Sequence, residues 1–156
     1  MEPVEVGEVV SFKQVDVSAK PVSFREATAV GFIKLKPSTI DLIKKGAIEK
    51  GDPLSLARVT GVLAAKQTPN MVVLCHPLRL DLAAVEAKLK KNGVEVSARV
   101  SAHERTGVEM EALTAVSVAL LNVWDVTKQY EKDPEGQYPS TRIECIKVTK
   151  KVKRPA

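Results

Sequence analysis

Two cysteines in 156 residues allow one disulfide at most, so Cys75 and Cys145 read as reduced thiols and a secreted disulfide scaffold is excluded. Histidine is equally scarce. His76 and His103 are the two imidazoles, and the adjacent pair Cys75-His76 cannot easily fill two corners of a tetrahedral site, so no dedicated metal site is expected. Aromatic residues make up 4% of the chain, which leaves few stacking platforms for a single-stranded nucleic acid. No GxGxxG occurs, and GVLAAK from Gly61 to Lys66 lacks the second glycine and the trailing Ser/Thr of a phosphate-binding P-loop. No run approaches the ~20 apolar residues of a membrane span, and the opening MEPVEVGEVV is acidic, without the apolar centre of a secretory signal. The expectation is a cytoplasmic chain with no membrane and no nucleic-acid partner.

What is present is positive charge and length. A net charge of +5 points to an anionic partner, and with so few aromatics a phosphorylated metabolite fits better than a nucleic acid. A chain of this length can bury roughly 70% of its unfolded surface, enough for one independent core. No internal repeat divides it. Residues 1–25 carry no sustained period and read as an extended arm in which Asp16, Lys20 and Arg25 await partners. Residues 26–148 read as a single domain, and 149–156 as a basic, mobile tail.

Within that domain Ala27 to Leu35 predicts a strand closed by Pro37, Ser38 to Lys45 a short helix stopped by Gly46, and Pro53 to Lys66 a second helix ended by Pro69. Asp52 stands at the N-cap of the second helix, with proline at its first position. Asn92-Gly93 is a turn pair suited to a two-residue type I′ hairpin. That register pairs Leu89 with Val96, Ala87 with Ala98 and Val85 with Val100 on an apolar face, and Lys90 with Glu95 and Glu86 with Arg99 on a charged one. Val108 to Glu131 predicts a long helix, apolar at Leu113, Val116, Leu120, Val123 and Trp124, and Ser140 to Val148 a last strand. The order β-α-α-β-β-α-β implies an α+β ferredoxin-like fold, an antiparallel sheet with helices packed on one face and one extra helix.

Two segments carry residue types that folding alone does not require. In MVVLCHPL, residues 71–78, Cys75-His76-Pro77 follows an apolar run, which places an imidazole where a buried element ends and Pro77 stiffens the exit. In TGVEMEALT, residues 106–114, Glu109 and Glu111 occupy the first helical turn, favoured there by the dipole yet close enough to crowd each other. Asp125 and Lys128, three apart, share a face further along. The plainer readings are a satisfied histidine, dipole-complementing acids and a surface ion pair of small energetic value. His103 falls on the polar face of the hairpin and reads as solvated.

VDVSAKP at 15–21, FREATA at 24–29, KGDPLSLARVTGVLAAKQT at 50–68, LCHPL at 74–78 and TGVEMEALTAVSVALLNVWDVTK at 106–128 together resemble the MoaC family, the cyclic pyranopterin monophosphate synthases of molybdenum cofactor biosynthesis. The resemblance covers roughly residues 15–148. It implies a lyase that converts 3′,8-cyclo-7,8-dihydro-GTP to cyclic pyranopterin monophosphate with release of pyrophosphate, in a hexamer built as a trimer of dimers with sites at subunit interfaces. No tightly bound cofactor is implied, and the place left open for magnesium is with the substrate triphosphate. Carried over by position, Leu74, Cys75, His76, Met110 and Glu111 form the substrate pocket, Asp125 is the family's catalytic aspartate, and Lys128, Lys50, Lys66, Arg25 and Glu109 match further pocket positions. Asp125 and Lys128 become the acid-base pair, His76 an orienting or proton-transferring group, Glu111 the partner of the pterin amide and amino edge, and Lys50, Lys66 and Arg25 the phosphate contacts. The family ends in a GGKSG-like tail that can close over the site, whereas this chain ends VTKKVKRPA, where Lys147, Lys150 and Lys151 are the candidates to replace that lysine.

Helix geometry adds a constraint. Glu111 and Asp125 are 14 residues apart in one predicted helix, hence about 21 Å along its axis. One chain cannot bring both to one reacting centre unless the helix breaks, and no proline or glycine lies between them to break it. A two-fold pairing of antiparallel copies would bring the start of one helix to the end of the other. The competing reading is a non-catalytic basic module binding RNA or a phosphorylated effector, which leaves the Cys75-His76 and Glu109/Glu111 pairs without work.

Overall fold

A computed structural model of the chain describes residues 1–7 and 11–156; the stretch of the expected arm at 8–10 lies outside the described residues. The elements are β1 (Ser23–Lys34), α1 (Pro37–Lys44), α2 (Pro53–Gln67), a short 3₁₀ turn (Thr68–Asn70), β2 (Leu82–Lys90), β3 (Gly93–Glu104), α3 (Glu109–Glu131) and β4 (Arg142–Pro155). The strands form one antiparallel sheet in the order β2-β3-β1-β4. This is the ferredoxin-like arrangement, with α1 as the extra helix.

The period-2 pattern of β1 decides how the layers meet. Arg25, Ala27, Ala29, Gly31 and Ile33 are buried, while Phe24, Glu26, Thr28, Val30 and Phe32 on the other face are half-buried. The helical face is built from small residues: Ala27, Ala29, Ala98 and Ala102 of the sheet meet Ala112, Ala115 and Ala119 of α3, all essentially inaccessible. Small side chains let the backbones approach closely. At Gly31 a Cβ would stand 2.7 Å from Val116 Cγ1 and 2.8 Å from Leu120 Cδ1, so α3 crosses β1 where no side chain intervenes. α3 is long and apolar enough to cross a membrane by composition. Half of that window is buried inside the fold, as befits a core helix.

The ends of α2 and α3 are pinned by polar groups. Asp52 caps α2, accepting from the backbone N–H of Leu54 and Ser55 at 3.2 and 3.1 Å, an arrangement typically worth about 1 kcal/mol. Glu131, the last residue of α3, is fully buried. It accepts from Lys36 N–H at 3.0 Å, from the Thr39 hydroxyl, and from the Thr141 hydroxyl at 2.6 Å. One carboxyl group thereby ties the start of α1, the end of α3 and the approach to β4.

Four expectations are corrected. The hairpin register is set by Lys90 opposite Gly93, so Lys91-Asn92 are the turn residues, and Leu89 faces Val94, Ala87 faces Val96 and Val85 faces Ala98. The shift is even, so the apolar face survives while the expected charge pairs do not: Lys88 faces Glu95, Glu86 faces Ser97, and Arg99 turns to Glu26 at 3.5 Å. Neither turn residue has positive φ, which type I′ requires. Gly93 is needed for another reason: a Cβ there would overlap the Ile33 carbonyl oxygen on β1. Second, β1 starts at Ser23, which moves Arg25 from the arm into the sheet. Third, the last strand runs to Pro155, so the basic tail is ordered and hydrogen-bonded along β1. A bulge opposite Gly31, where Cys145 takes φ 59°, re-aims the strand part-way along. Fourth, residues 71–78 form an exposed loop with no buried element, and Met71, Val73 and Leu74 are exposed.

Candidate active site

The cavity of interest forms where β3 hands over to α3. Leu74, Cys75, His76 and Leu78 from the exposed loop face Thr106, Gly107, Glu109, Met110 and Glu111 across a space of about 230 Å³. α3 begins at Glu109 with Val108 at its N-cap, which offers no side-chain cap, so both glutamates lie in the first turn beside the backbone N–H groups of the helix start. Gly107 leaves room for the Glu109 carboxylate to fold back over the helix start.

The two glutamates differ in environment. Glu111 is 3% exposed, and burial, with the Glu109 charge as a lesser contribution, raises its pKa above the ordinary carboxylate range despite a backbone hydrogen bond. Burial acts on Glu109 too, but it is outweighed by a bond from Lys151 Nζ at 2.8 Å, a backbone N–H and the nearby Arg25 charge, and its pKa falls. Adjacent carboxyls are thus pushed apart, the pattern that separates acid from base roles. The Cys75 thiol is pushed up by burial and then by Glu111, so it stays a thiol at neutral pH and is suited to contact rather than nucleophilic attack. His76 Nε2 lies 2.6 Å from the Val15 carbonyl of the N-terminal arm. A carbonyl only accepts, so Nε2 carries a proton and Nδ1 is the nitrogen turned away from Val15.

Sheet register explains which tail lysine arrives. Lys151 pairs with Ala27, whose side chain faces the helices, whereas Lys150 pairs with Thr28 and Lys147 with Val30 on the opposite face. Arg25, buried in β1 with its Nε donating to Ser23 Oγ at 2.7 Å, sits on the same inward face.

A second cleft lies at the other end of α3. Leu121, Trp124, Asp125, Lys128 and Tyr138 line about 390 Å³. Asp125 is held from two sides, by Lys128 Nζ at 3.1 Å and by Lys50 Nζ at 3.4 Å. Those bonds, Lys128 first, hold its pKa below the usual carboxylate value. All three side chains are about half exposed, so the cluster does little for stability; its effect is to fix an ionised carboxylate between two cations. The Trp124 and Tyr138 rings meet edge to face at 5.2 Å beside it.

The expected site residues therefore fall into two groups. Leu74, Cys75, His76, Glu109, Met110 and Glu111 share the first cavity, with Arg25 behind Glu109. Asp125 and Lys128 line the second cleft, at the far end of an unbroken 23-residue helix, and Lys50 reaches Asp125 there. Lys66 is exposed in the last turn of α2 and lines neither space. His103 is not merely solvated: its Nδ1 lies 2.6 Å from Asp81 Oδ2 and its ring packs edge-on against Phe24. Tyr138 had no signal in the sequence, since it lies in an aperiodic stretch after Gly136. Among the described residues no three His, Cys, Asp or Glu side chains gather as a metal site would need.

A family model described as the MoaC family matches residues 14–153. A protein of Sulfurisphaera tokodaii named "Probable cyclic pyranopterin monophosphate synthase" is 51% identical over 90% of this chain and 93% of its own length. Proteins of the same name from Sulfolobus acidocaldarius and Pyrococcus horikoshii are 53% and 50% identical, covering 89% and 90% of this chain and 97% and 89% of their own lengths. The matched region contains both groups of site residues.

Proposed function

Because the chain belongs to the MoaC family, we propose that it is a lyase of molybdenum cofactor biosynthesis, converting 3′,8-cyclo-7,8-dihydro-GTP to cyclic pyranopterin monophosphate with release of pyrophosphate. The observation that carries the reading to this chain is Asp125 gripped between Lys50 and Lys128, on the same helix whose first turn presents Glu111 to Cys75 and His76.

The chemistry asks for what these groups supply. Opening the imidazole ring of the purine and closing a pyran requires repeated proton transfers at nitrogen and oxygen. Asp125 and Lys128, in contact and of opposite charge, are an acid-base pair that can pass a proton each way. Forming the cyclic phosphate needs a sugar hydroxyl to attack the innermost phosphorus as pyrophosphate leaves. Lys50, Arg25 and Lys151, each beside one of the two groups, are the cations that would hold that departing charge; Lys66, which lines neither space, would have to reach it from a partner subunit. Glu111, its pKa raised, can meet the amide and amino edge of the pterin with a donor or an acceptor. His76 offers Nδ1 to substrate once Val15 has fixed its other nitrogen. Magnesium, where it takes part, travels with the triphosphate.

The working unit is a cytoplasmic hexamer, a trimer of dimers. Support for sharing comes from the helix itself, because the two groups of residues lie about 21 Å apart on one rod and a partner's copy must complete each site. The exposed apolar side chains around the site, Val73, Leu74, Met110 and Leu121, are what a subunit contact would cover. Incubation of the purified chain with the cyclic dihydro-GTP intermediate should release pyrophosphate and yield a pterin. A folded chain that releases none would end this reading.

A further inference from the structure

Lys50 does not reach Asp125 from a helix or a strand. It stands in a tight turn that opens when α1 ends at Gly46 (φ +66°) and closes when Asp52 caps α2. Gly51 N–H donates to the Ile48 carbonyl at 3.1 Å, so Glu49 and Lys50 are the two central residues of a four-residue turn. Ile48 anchors that turn in the core at 7% exposure. Two further polar contacts hold it, both from the last turns of α3. The backbone N–H of Glu49 donates to Tyr130 Oη at 2.9 Å, and Gln129 Nε2 donates to Glu49 Oε2 at 3.2 Å. Tyr130 is itself half-buried, its ring packed against the core. The residue before Lys50 is thus bolted to the same helix that carries Asp125, five residues before Tyr130.

We infer that Tyr130 is a positioning residue for the reaction: its hydroxyl fixes the Ile48–Gly51 turn on α3, so that Lys50 arrives at Asp125 without having to be ordered when substrate binds. The inference rests on the proposed role of Lys50 and Asp125. Its physical content is preorganisation, since a displacement of about 1 Å at a catalytic group can cost on the order of a hundredfold in rate. The Tyr130 bond is exposed at the Glu49 end. Water can replace the hydroxyl there, so removing it should leave the fold intact.

The experiment is Tyr130→Phe, compared with Lys50→Ala and with the double variant, by steady-state kinetics across pH and by thermal unfolding. Tyr130→Phe should lower kcat about tenfold with a smaller change in KM, at unchanged Tm. Because Asp125 is faced by Lys128 from its own helix and Lys50 from the turn, loosening Lys50 should move the acid limb of the rate profile upward. The double variant should be no slower than Lys50→Ala within about twofold, since Tyr130 would act only through Lys50. Glu49→Pro, which deletes that hydrogen bond and the Gln129 contact together from the loop side, at a turn position proline tolerates, should cost at least as much. Normal turnover and an unmoved acid limb in Tyr130→Phe, or losses that add in the double variant, would overturn the inference. Normal turnover in Lys50→Ala would overturn the reading of the site as well.

Discussion

Lys151 Nζ lies 2.8 Å from Glu109 Oε1, so the last strand of the chain delivers a cation to the cavity that Cys75 and His76 line. A lysine on a hydrogen-bonded strand has one reach, unlike a lysine on a closing tail. Lys151→Ala should therefore raise KM for the triphosphate substrate about tenfold while leaving thermal stability unchanged. Lys150→Ala, whose side chain faces the other side of the sheet, should do neither. Equal effects from the two would mean that only total charge matters.

Asp125→Asn keeps shape and removes the titrating oxygen, so the protein should fold with an unchanged Tm and lose about a hundredfold or more in kcat. In the unmodified protein the folded pKa of Asp125 is depressed. Activity should accordingly hold as pH drops through the ordinary carboxylate range and fall only below it. A limb at or above the usual Asp value would show that another group controls it.

Glu111 carries the opposite sign. Its folded pKa is raised, so between the unfolded value and the folded one the native chain binds the extra proton, and stability declines as pH rises through that window. Glu111→Gln removes the dependence. The variant should melt higher than the parent at neutral pH, by about 2–4 °C for each kcal/mol relieved in a chain of this size. The gap should close below about pH 4, as the unfolded parent becomes protonated too. A parent melting curve flat over that range would contradict the assignment.

A shared site makes a quantitative statement about mixtures. Glu111→Ala and Asp125→Ala subunits should each be inactive alone, yet after exchange a mixed pair carries one intact site of two. With half of random pairs mixed, activity should recover toward about a quarter of the parent's. No recovery after demonstrated exchange would place both residues in one chain's site by a route the straight helix does not offer.

The fold was largely legible because its signals are local. The Asp52-Pro53 helix start, the period of α3 and the alternation of β1 each declare themselves within a dozen residues. What misled was residue type with two uses. Asn92-Gly93 reads as a turn needing positive φ, but Gly93 serves a close passage beside Ile33, a contact 60 residues away in the chain. KKVKRPA reads as a solvated tail because lysines usually are, and only the β1 neighbour reveals it as a strand. The members of each cluster were nameable from their motifs. Their division between the two ends of α3 followed from helix rise, whereas Lys50 at Asp125 and Lys151 at Glu109 depend on how the turn and the sheet fold back, which no local pattern encodes.

The buried Glu131 implies an order of events during synthesis. Its carboxyl group has partners before it in the chain, Lys36 and Thr39, and one after it, Thr141. Until the ribosome has released residue 141 the group is one donor short, and the sheet still lacks the edge that β4 supplies to β1. A chain ending after α3 would hold the buried apolar residues of the core, yet it would leave the Glu131 carboxyl without its Thr141 donor and β1 without its β4 neighbour.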